Sequence, residues 1–369
     1  MTAPPPPRYG EGALPDLTPS VLAALGVPGE TGVLGLAPVR RACVLLLDGV
    51  GAELLRRHPE AAPYLSSLPG RTLTAGFPAT TATSLGSLGT GLPPGGHGML
   101  GYQVAVPGEA RLLNCLRWSS AVDPLTWQPA PTVFERAEAA GIAASYVGPG
   151  EFAGSGLTRA VYRGARYLPA ADVDQRVAAA RSALSDGPAF ALVYFGDVDT
   201  VGHLTGTGSP EWLEALATAD TLAMRIAETL PPGSALYVTA DHGMVDVADR
   251  VDVDETPALR DGVRLLGGDP RSRHVYCEPG VAEAVLQTWS ELLAGRAWVR
   301  SREEAVESGW FGPLSPDMAP RVGDVVVAAY GDCGVIASRA EPLESSLVGM
   351  HGSLTAEEQH IPLLEHSTR

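Results

Sequence analysis

Four short segments place cation-binding side chains where the chain turns. LLLDG sets Asp48 at the end of an apolar run, DVDTVGH sets Asp199 and His203 four residues apart, and TADHGM sets Asp241 beside His242. Near the C-terminus, GMHGSLTAEEQHIPLL carries His351 between small residues that permit close backbone approach. Each has a plain structural explanation on its own. An Asp after a buried strand commonly caps a turn, an Asp–His pair is often incidental, and loop histidines are usually solvated. Together they form a set of three Asp and three His, a mixed oxygen and nitrogen donor set that suits zinc better than calcium or magnesium. Manganese and iron accept the same ligand types.

Residues 75–102, AGFPATTATSLGSLGTGLPPGGHGMLGY, contain Thr, Ser and Gly but no Asp, Glu, Lys or Arg. This composition suits a hydroxyl nucleophile at a helix N-terminus, where backbone N–H groups and the helix dipole favour an anion. A Gly-rich structural turn is the alternative. A free hydroxyl is a weak nucleophile at neutral pH, and metal coordination is what would activate it. The hydroxyl and the ligand set therefore explain one another.

The elements that must position these residues follow a repeating pattern. RACVLLLDGV, AASYVGP, FALVYFGDVD and ALYVTADHG are apolar runs ending in turn or acidic residues, and Ala-rich helical stretches such as TVFERAEAAG, VDQRVAAARSALSDG and PEWLEALATADTLAMRIAETL separate them. Such alternation predicts an α/β fold with a mostly parallel central sheet and helices on both faces, its ligand site beyond the strands' carboxyl ends. Residues of about 247–346 break the rhythm, with strand candidates near Val275 and at Val325 to Ala329, and predict a smaller inserted lobe. The Pro-rich start predicts a flexible lead-in over residues 1–30, with the catalytic domain over 31–369.

Composition narrows the function. A net charge of −16 disfavours nucleic-acid polymers as partners, whereas small phosphate esters remain compatible because a dinuclear site would outweigh that diffuse charge locally. Cys43, Cys115, Cys277 and Cys333 form no CxxC pair and are expected to be reduced thiols. No apolar run approaches a membrane span, and MTAPPPPRYG lacks the regions of a secretory signal, so no membrane association and a cytoplasmic location are expected. Nothing in the sequence sets the oligomeric state.

In order along the chain, VLLLDG, FPATTATSLGSLGTGLPPGGHGM, DVDTVGH, TADHGM and HG followed by IPLL resemble the alkaline phosphatase superfamily, most closely its nucleotide pyrophosphatase/phosphodiesterase branch. The resemblance covers roughly residues 41–364 with a gap over the lobe. It implies two zinc ions, one held by Asp199, His203 and His351 and the other by Asp48, Asp241, His242 and the oxygen of Thr81. Thr81 would be the nucleophile, since it stands nine residues before Thr90 and sixteen before His97, with Thr80 the near alternative; Asp197 does not fit the ligand spacing. The implied reaction is in-line hydrolysis of a phosphodiester or pyrophosphate bond in a small, nucleotide-like substrate through a phosphothreonine.

The sequence departs from the family where a phosphate-binding Asn is common. Tyr102 occupies the equivalent place, and Asn114 is a candidate substitute. Monoester hydrolysis and phosphonoacetate-type carbon–phosphorus cleavage share the same metal core; the first calls for an added cation near the nucleophile and the second for basic residues gripping a carboxylate, which Arg111, Arg117 or Arg273 would have to supply. Tyr102, Trp118 and Trp127 are candidates either for stacking on a base or for the core. An inactive binding relative is the non-enzyme alternative, disfavoured by the complete ligand set.

Overall fold

The computed structural model describes residues 3–368. In chain order its principal strands are β1 (Arg41–Leu47), β2 (Gly70–Thr74), β3 (Ala143–Gly148), β4 (Arg166–Pro169), β5 (Ala189–Phe195), β6 (Ser234–Thr239), β7 (Val263–Asp269), β8 (Ser272–Cys277), β9 (Ala297–Ser301), β10 (Val325–Ala329) and β11 (His360–Ser367). Seven of them form the central sheet in the order β2-β11-β6-β1-β5-β3-β4. β1 lies parallel between β5 and β6, and β3 and β4 extend the parallel array, while β11 runs antiparallel to both β2 and β6.

The apolar runs become these strands because both sheet faces are covered. β6 is buried along its whole length and β1 throughout except at Arg41, as expected where helices flank a parallel sheet. The longest helix, Pro210–Thr229, buries Trp212, Leu216, Ala219, Leu222, Ala223 and Ile226 at helical spacing. It starts at Ser209, whose side chain accepts the Trp212 N–H, with Pro210 in the first turn.

The lobe is a four-stranded antiparallel sheet, β7-β8-β10-β9. It has its own core, which includes Val251, Leu259, Val275, Trp289, Val299, Val325 and Val335. Buried connections tie it to the main body. Arg271 and Glu358 form an ion pair at 2.6 Å with both side chains fully buried, and the His274 imidazole bridges Leu100 and Gly323.

The N-terminal segment differs from the expected flexible lead-in. Leu17–Ala24 is a helix, α1, and Leu14, Leu17, Val21 and Leu22 are fully buried in the main core. Thr18 Oγ1 donates to Leu88 O at 2.8 Å, joining α1 to the Thr-, Ser- and Gly-rich segment of residues 75–102. Even the proline run is seated, with Pro4 and Pro7 buried and Pro5 and Pro6 exposed, the three-residue period of a polyproline helix. Met1 and Thr2 lie outside the described residues. All four cysteines are free and buried, and among the described residues no helix is long and apolar enough to cross a membrane.

Candidate active site and metal centre

The candidate site residues meet at the carboxyl ends of β1, β5 and β6. Asp48 follows β1 directly, and its N–H donates to Phe195 O at the end of β5. Asp241 and His242 lie just beyond β6, whose last residue is Thr239. Asp241 Oδ1 accepts the N–H groups of Gly49 and His242, each at 3.1 Å, which locks two strand ends together. Gly49 adopts φ +74°, and a Cβ there would stand 3.0 Å from Asp199 Cβ, so the Asp-Gly turn admits no side chain at this point.

Asp199 and His203 occupy successive turns of α2 (Asp197–Thr205) and face one another, with His203 Nε2 at 3.3 Å from Asp199 Oδ2. His351 Nε2 is 3.7 Å from Asp199 Oδ1, and its ring stacks on His242 at 3.6 Å between centroids. His242 Nε2 lies 3.4 Å from Asp48 Oδ1 and 3.3 Å from Asp241 Oδ2. Two groups of mutually close donor atoms result, Asp48/Asp241/His242 and Asp199/His242/His351. His203 joins the second through Asp199. Asp197 is exposed and outside the cluster.

In all three histidines Nδ1 faces a backbone carbonyl: Gly349 O at 2.7 Å from His203, Ala79 O at 2.9 Å from His351 and Gly243 O at 3.1 Å from His242. A carbonyl can only accept, so each Nδ1 carries the proton and each Nε2 is left to face the carboxylates. The same device orients imidazoles toward metal ions. Asp48 Oδ1, Asp199 Oδ1 and Asp241 Oδ2 are buried without any hydrogen-bond partner. Such orphaned, charged oxygens are costly, and a cation among them would remove the cost. The residues present therefore fit a metal centre.

The electrostatics agree. Burial, reinforced by the charges of Asp241 and Asp199, pushes the Asp48 carboxyl well up, and Tyr194, whose hydroxyl donates to Asp48 Oδ2 at 2.6 Å, works against that rise. Burial and Asp199 likewise raise Asp241. Burial would raise Asp199 and lower His203, but their mutual attraction wins, holding Asp199 below the usual carboxylate range and lifting His203 to about 9. A proton on His203 Nε2 and a cation beside it answer the same negative potential.

Thr81 opens helix α3 (Thr81–Thr90), with Thr80 as its extended N-cap residue. Its Oγ1 lies 3.3 Å from His242 Nε2, so it borders the Asp/His cluster, and the first-turn N–H groups lack partners within the helix. The rest of α3 is buried. His97 is fully buried against Ser87 at 3.1 Å and supports this helix from behind.

A pocket of about 350 Å³ opens onto these groups, bounded on one side by Thr80, Thr81, Asp199, His203 and His351. Tyr102 lines it, with its hydroxyl donating to Glu344 at 3.0 Å. Asn114 does not line it; its Oδ1 accepts the N–H groups of Leu116 and Arg117 and so shapes the loop that does. Arg117 is the only guanidinium or ammonium group on the wall among the described residues. Arg111 pairs with Glu109, and Arg273 is buried against Glu341. Trp127 is buried beneath the Arg321 guanidinium, with Trp118 packed edge-on against it. Both belong to the core and not to the pocket wall.

The sequence reading missed Tyr194, Leu204 and the helix α4 (Pro342–Ser346), which supplies Leu343 and Glu344 to the pocket. No local signal marks them, because their roles depend on strand pairing and on how the lobe folds back.

Comparisons with known proteins accord with this geometry. No curated protein sequence matches the chain. Murine ectonucleotide pyrophosphatase/phosphodiesterase 5 superposes with a TM-score of 0.70 at 19% identity, covering 88% of each chain; it has also been solved as an inactive variant with AMP. Phosphonoacetate hydrolase from Sinorhizobium meliloti, in complex with phosphonoformate, superposes at 0.70 with 20% identity, covering 90% of this chain and 91% of that one. At these identities the likeness establishes the fold. The family model for type I phosphodiesterase/nucleotide pyrophosphatase matches residues 42–354, and the chain therefore belongs to that family of phosphoric ester hydrolases.

Proposed function

We propose that the protein hydrolyses phosphodiester or pyrophosphate bonds of small organic substrates through a phosphothreonine on Thr81. One observation carries this reading: three orphaned carboxylate oxygens and three imidazoles oriented by backbone carbonyls form one cluster, and a hydroxyl at the start of a buried helix stands 3.3 Å from one of those imidazole nitrogens. Asp48, Asp241 and His242 would hold one metal ion, and Asp199, His203 and His351 a second. Zinc fits this donor set best, and manganese or iron fit it chemically. When bound, the ions supply positive charge that acidifies the threonine hydroxyl and stabilises oxyanions.

The protein's own groups then act in sequence. Thr81 Oγ1 gives up its proton to solvent and forms a bond to phosphorus, while the ester oxygen departs on the opposite side with the bonding pair. Water cleaves the phosphothreonine, restoring the Thr81 hydroxyl and releasing the phosphorylated half of the substrate. The N-terminus of α3 favours the anion throughout. Tyr194 holds Asp48, and backbone carbonyls hold the three imidazoles, so little reorganisation is needed.

Phosphonoacetate cleavage is the second reading, supported by the hydrolase of that class among the structural neighbours. It needs cations to grip a carboxylate, and the pocket wall offers Arg117 alone, opposed by Glu344 and Asp269. That balance favours a diester. The deciding experiment compares bis-p-nitrophenyl phosphate, p-nitrophenyl phosphate and phosphonoacetate with zinc-loaded enzyme and with Thr81→Ala. Fastest turnover of the diester, lost in the variant, is the expected result. Preferred turnover of the monoester or of phosphonoacetate would overturn the proposal.

A further inference from the structure

Exposed leucines are unremarkable when scattered singly, but here three surround one opening. Leu116 is 47% exposed, Leu204 64% and Leu343 55%, and each lines the pocket that ends at Thr81. They come from three unrelated elements: the loop after the strand Leu112–Asn114, the end of α2 and the short helix α4. Leu347 and Met350 line the same cavity deeper in. Among the described residues no segment covers this rim, although it adjoins the cluster of Asp and His side chains.

The pocket's charges also constrain its occupant. Glu344 stands on the wall beside Leu343, held by the Tyr102 hydroxyl. Asp269 is also on the wall and is already engaged, accepting the N–H groups of Arg271 and Ser272 and the Ser272 hydroxyl. With Arg117 as the sole guanidinium on the wall among the described residues, Glu344 offsets it, and Asp269, whose carboxyl is pushed up to about 7 by burial, adds partial negative charge away from the Asp/His cluster. A substituent bearing further phosphates would meet this excess negative charge unpaired, whereas an uncharged apolar group would displace water from leucine surface.

From this rim we infer that the preferred substrate is a monoanionic phosphodiester with a small aliphatic or aryl substituent, seated on Leu116, Leu204 and Leu343, in preference to a nucleoside polyphosphate. The inference rests on the proposed reaction at Thr81 and specifies what that site selects. At about 350 Å³ the pocket lies at the small end of the ordinary range for ligand sites, which matches a compact substituent.

The test is titration calorimetry of zinc-loaded protein with methyl-, butyl-, hexyl- and phenylphosphonate, with AMP for comparison. Kd should fall roughly two- to fourfold per added methylene, the range expected for partial to full burial, and hexylphosphonate should bind more tightly than AMP. Leu343→Ser and Leu116→Ser should each flatten the series; both positions are exposed, so folding is not at stake. A flat or inverted series, AMP binding more tightly than hexylphosphonate, or no binding by any of the phosphonates would overturn the inference. Failure of the phosphodiesterase reading would appear separately, as no turnover of bis-p-nitrophenyl phosphate, and would leave the titration interpretable.

Discussion

Thr81 owes its place to its neighbours on both sides: the helix that begins with it fixes its backbone, and His242 Nε2 lies 3.3 Å from its hydroxyl. Replacing it by Ala removes the proposed nucleophile but little buried surface, so kcat on bis-p-nitrophenyl phosphate should fall by roughly 10³-fold or more while the denaturation midpoint holds. An equal loss of stability would instead mean that the residue is structural. Tyr194 makes a different prediction. Its hydroxyl donates to Asp48 Oδ2 at 2.6 Å. Tyr194→Phe should weaken zinc binding by about 10–100-fold, the usual loss for a partner behind a metal ligand, as measured by chelator competition. An unchanged affinity would show that Asp48 needs no such support. The six candidate ligands could be picked out in the sequence because each lies in a short contiguous motif. Tyr194 could not, since it reaches Asp48 only through the parallel register that sets Leu46 opposite Tyr194, a pairing across 146 positions that no local pattern announces.

At the level of elements, α3 shows why composition alone misleads. TATSLGSLGT carries two interior glycines, and helix propensity predicts that Gly→Ala would stabilise it by about 1 kcal/mol. The packing predicts the reverse at Gly89, where a Cβ would lie 2.1 Å from the Val161 carbonyl oxygen. Gly89→Ala should therefore lower stability by about 1–3 kcal/mol through forced backbone displacement, read as a reduced urea midpoint. A rise in the midpoint would show that the neighbouring segment yields freely. The strand-and-helix alternation was legible for a related reason, since a doubly covered sheet demands long apolar runs. The N-terminal stretch was misjudged because four successive prolines suggested mobility, although Leu14, Leu17, Val21 and Leu22 carry a helical burial pattern just beyond them. Pro4 to Pro7 wall one cavity together with Trp298 and Tyr330, and Pro4 and Pro7 are buried, which is a tertiary fact.

For the whole molecule, the issue is how a lobe with its own core stays registered on the sheet that carries the candidate metal ligands. His274 is one of the ties. Its Nε2–H donates to Leu100 O at 2.8 Å, and its Nδ1 accepts the Gly323 N–H at 3.1 Å, so both nitrogens are committed to the neutral ring. Burial, with a smaller contribution from the Arg302 charge, lowers its pKa to about 4 from the ordinary 6.5. A base whose pKa is depressed by folding contributes stability that is fully present above its unfolded value and is lost as pH falls toward the folded one. Wild-type stability should accordingly decline as pH drops from about 6.5 toward 4, because the unfolded chain takes up a proton that the folded chain refuses. His97, lowered to about 3 by burial, adds to the slope, and so does His351, which burial and the neighbouring His242 hold well below the ordinary value. Substituting His274 alone separates its share. His274→Asn should be less stable at neutral pH yet lose stability less steeply on acidification, by up to about 1.4 kcal/mol per pH unit between pH 6 and 4.5, the limit for one proton. Urea midpoints across that range provide the comparison. Equal slopes would show that the imidazole is not the group whose protonation opposes folding, and the tie between lobe and sheet would then rest on Arg271 and Glu358.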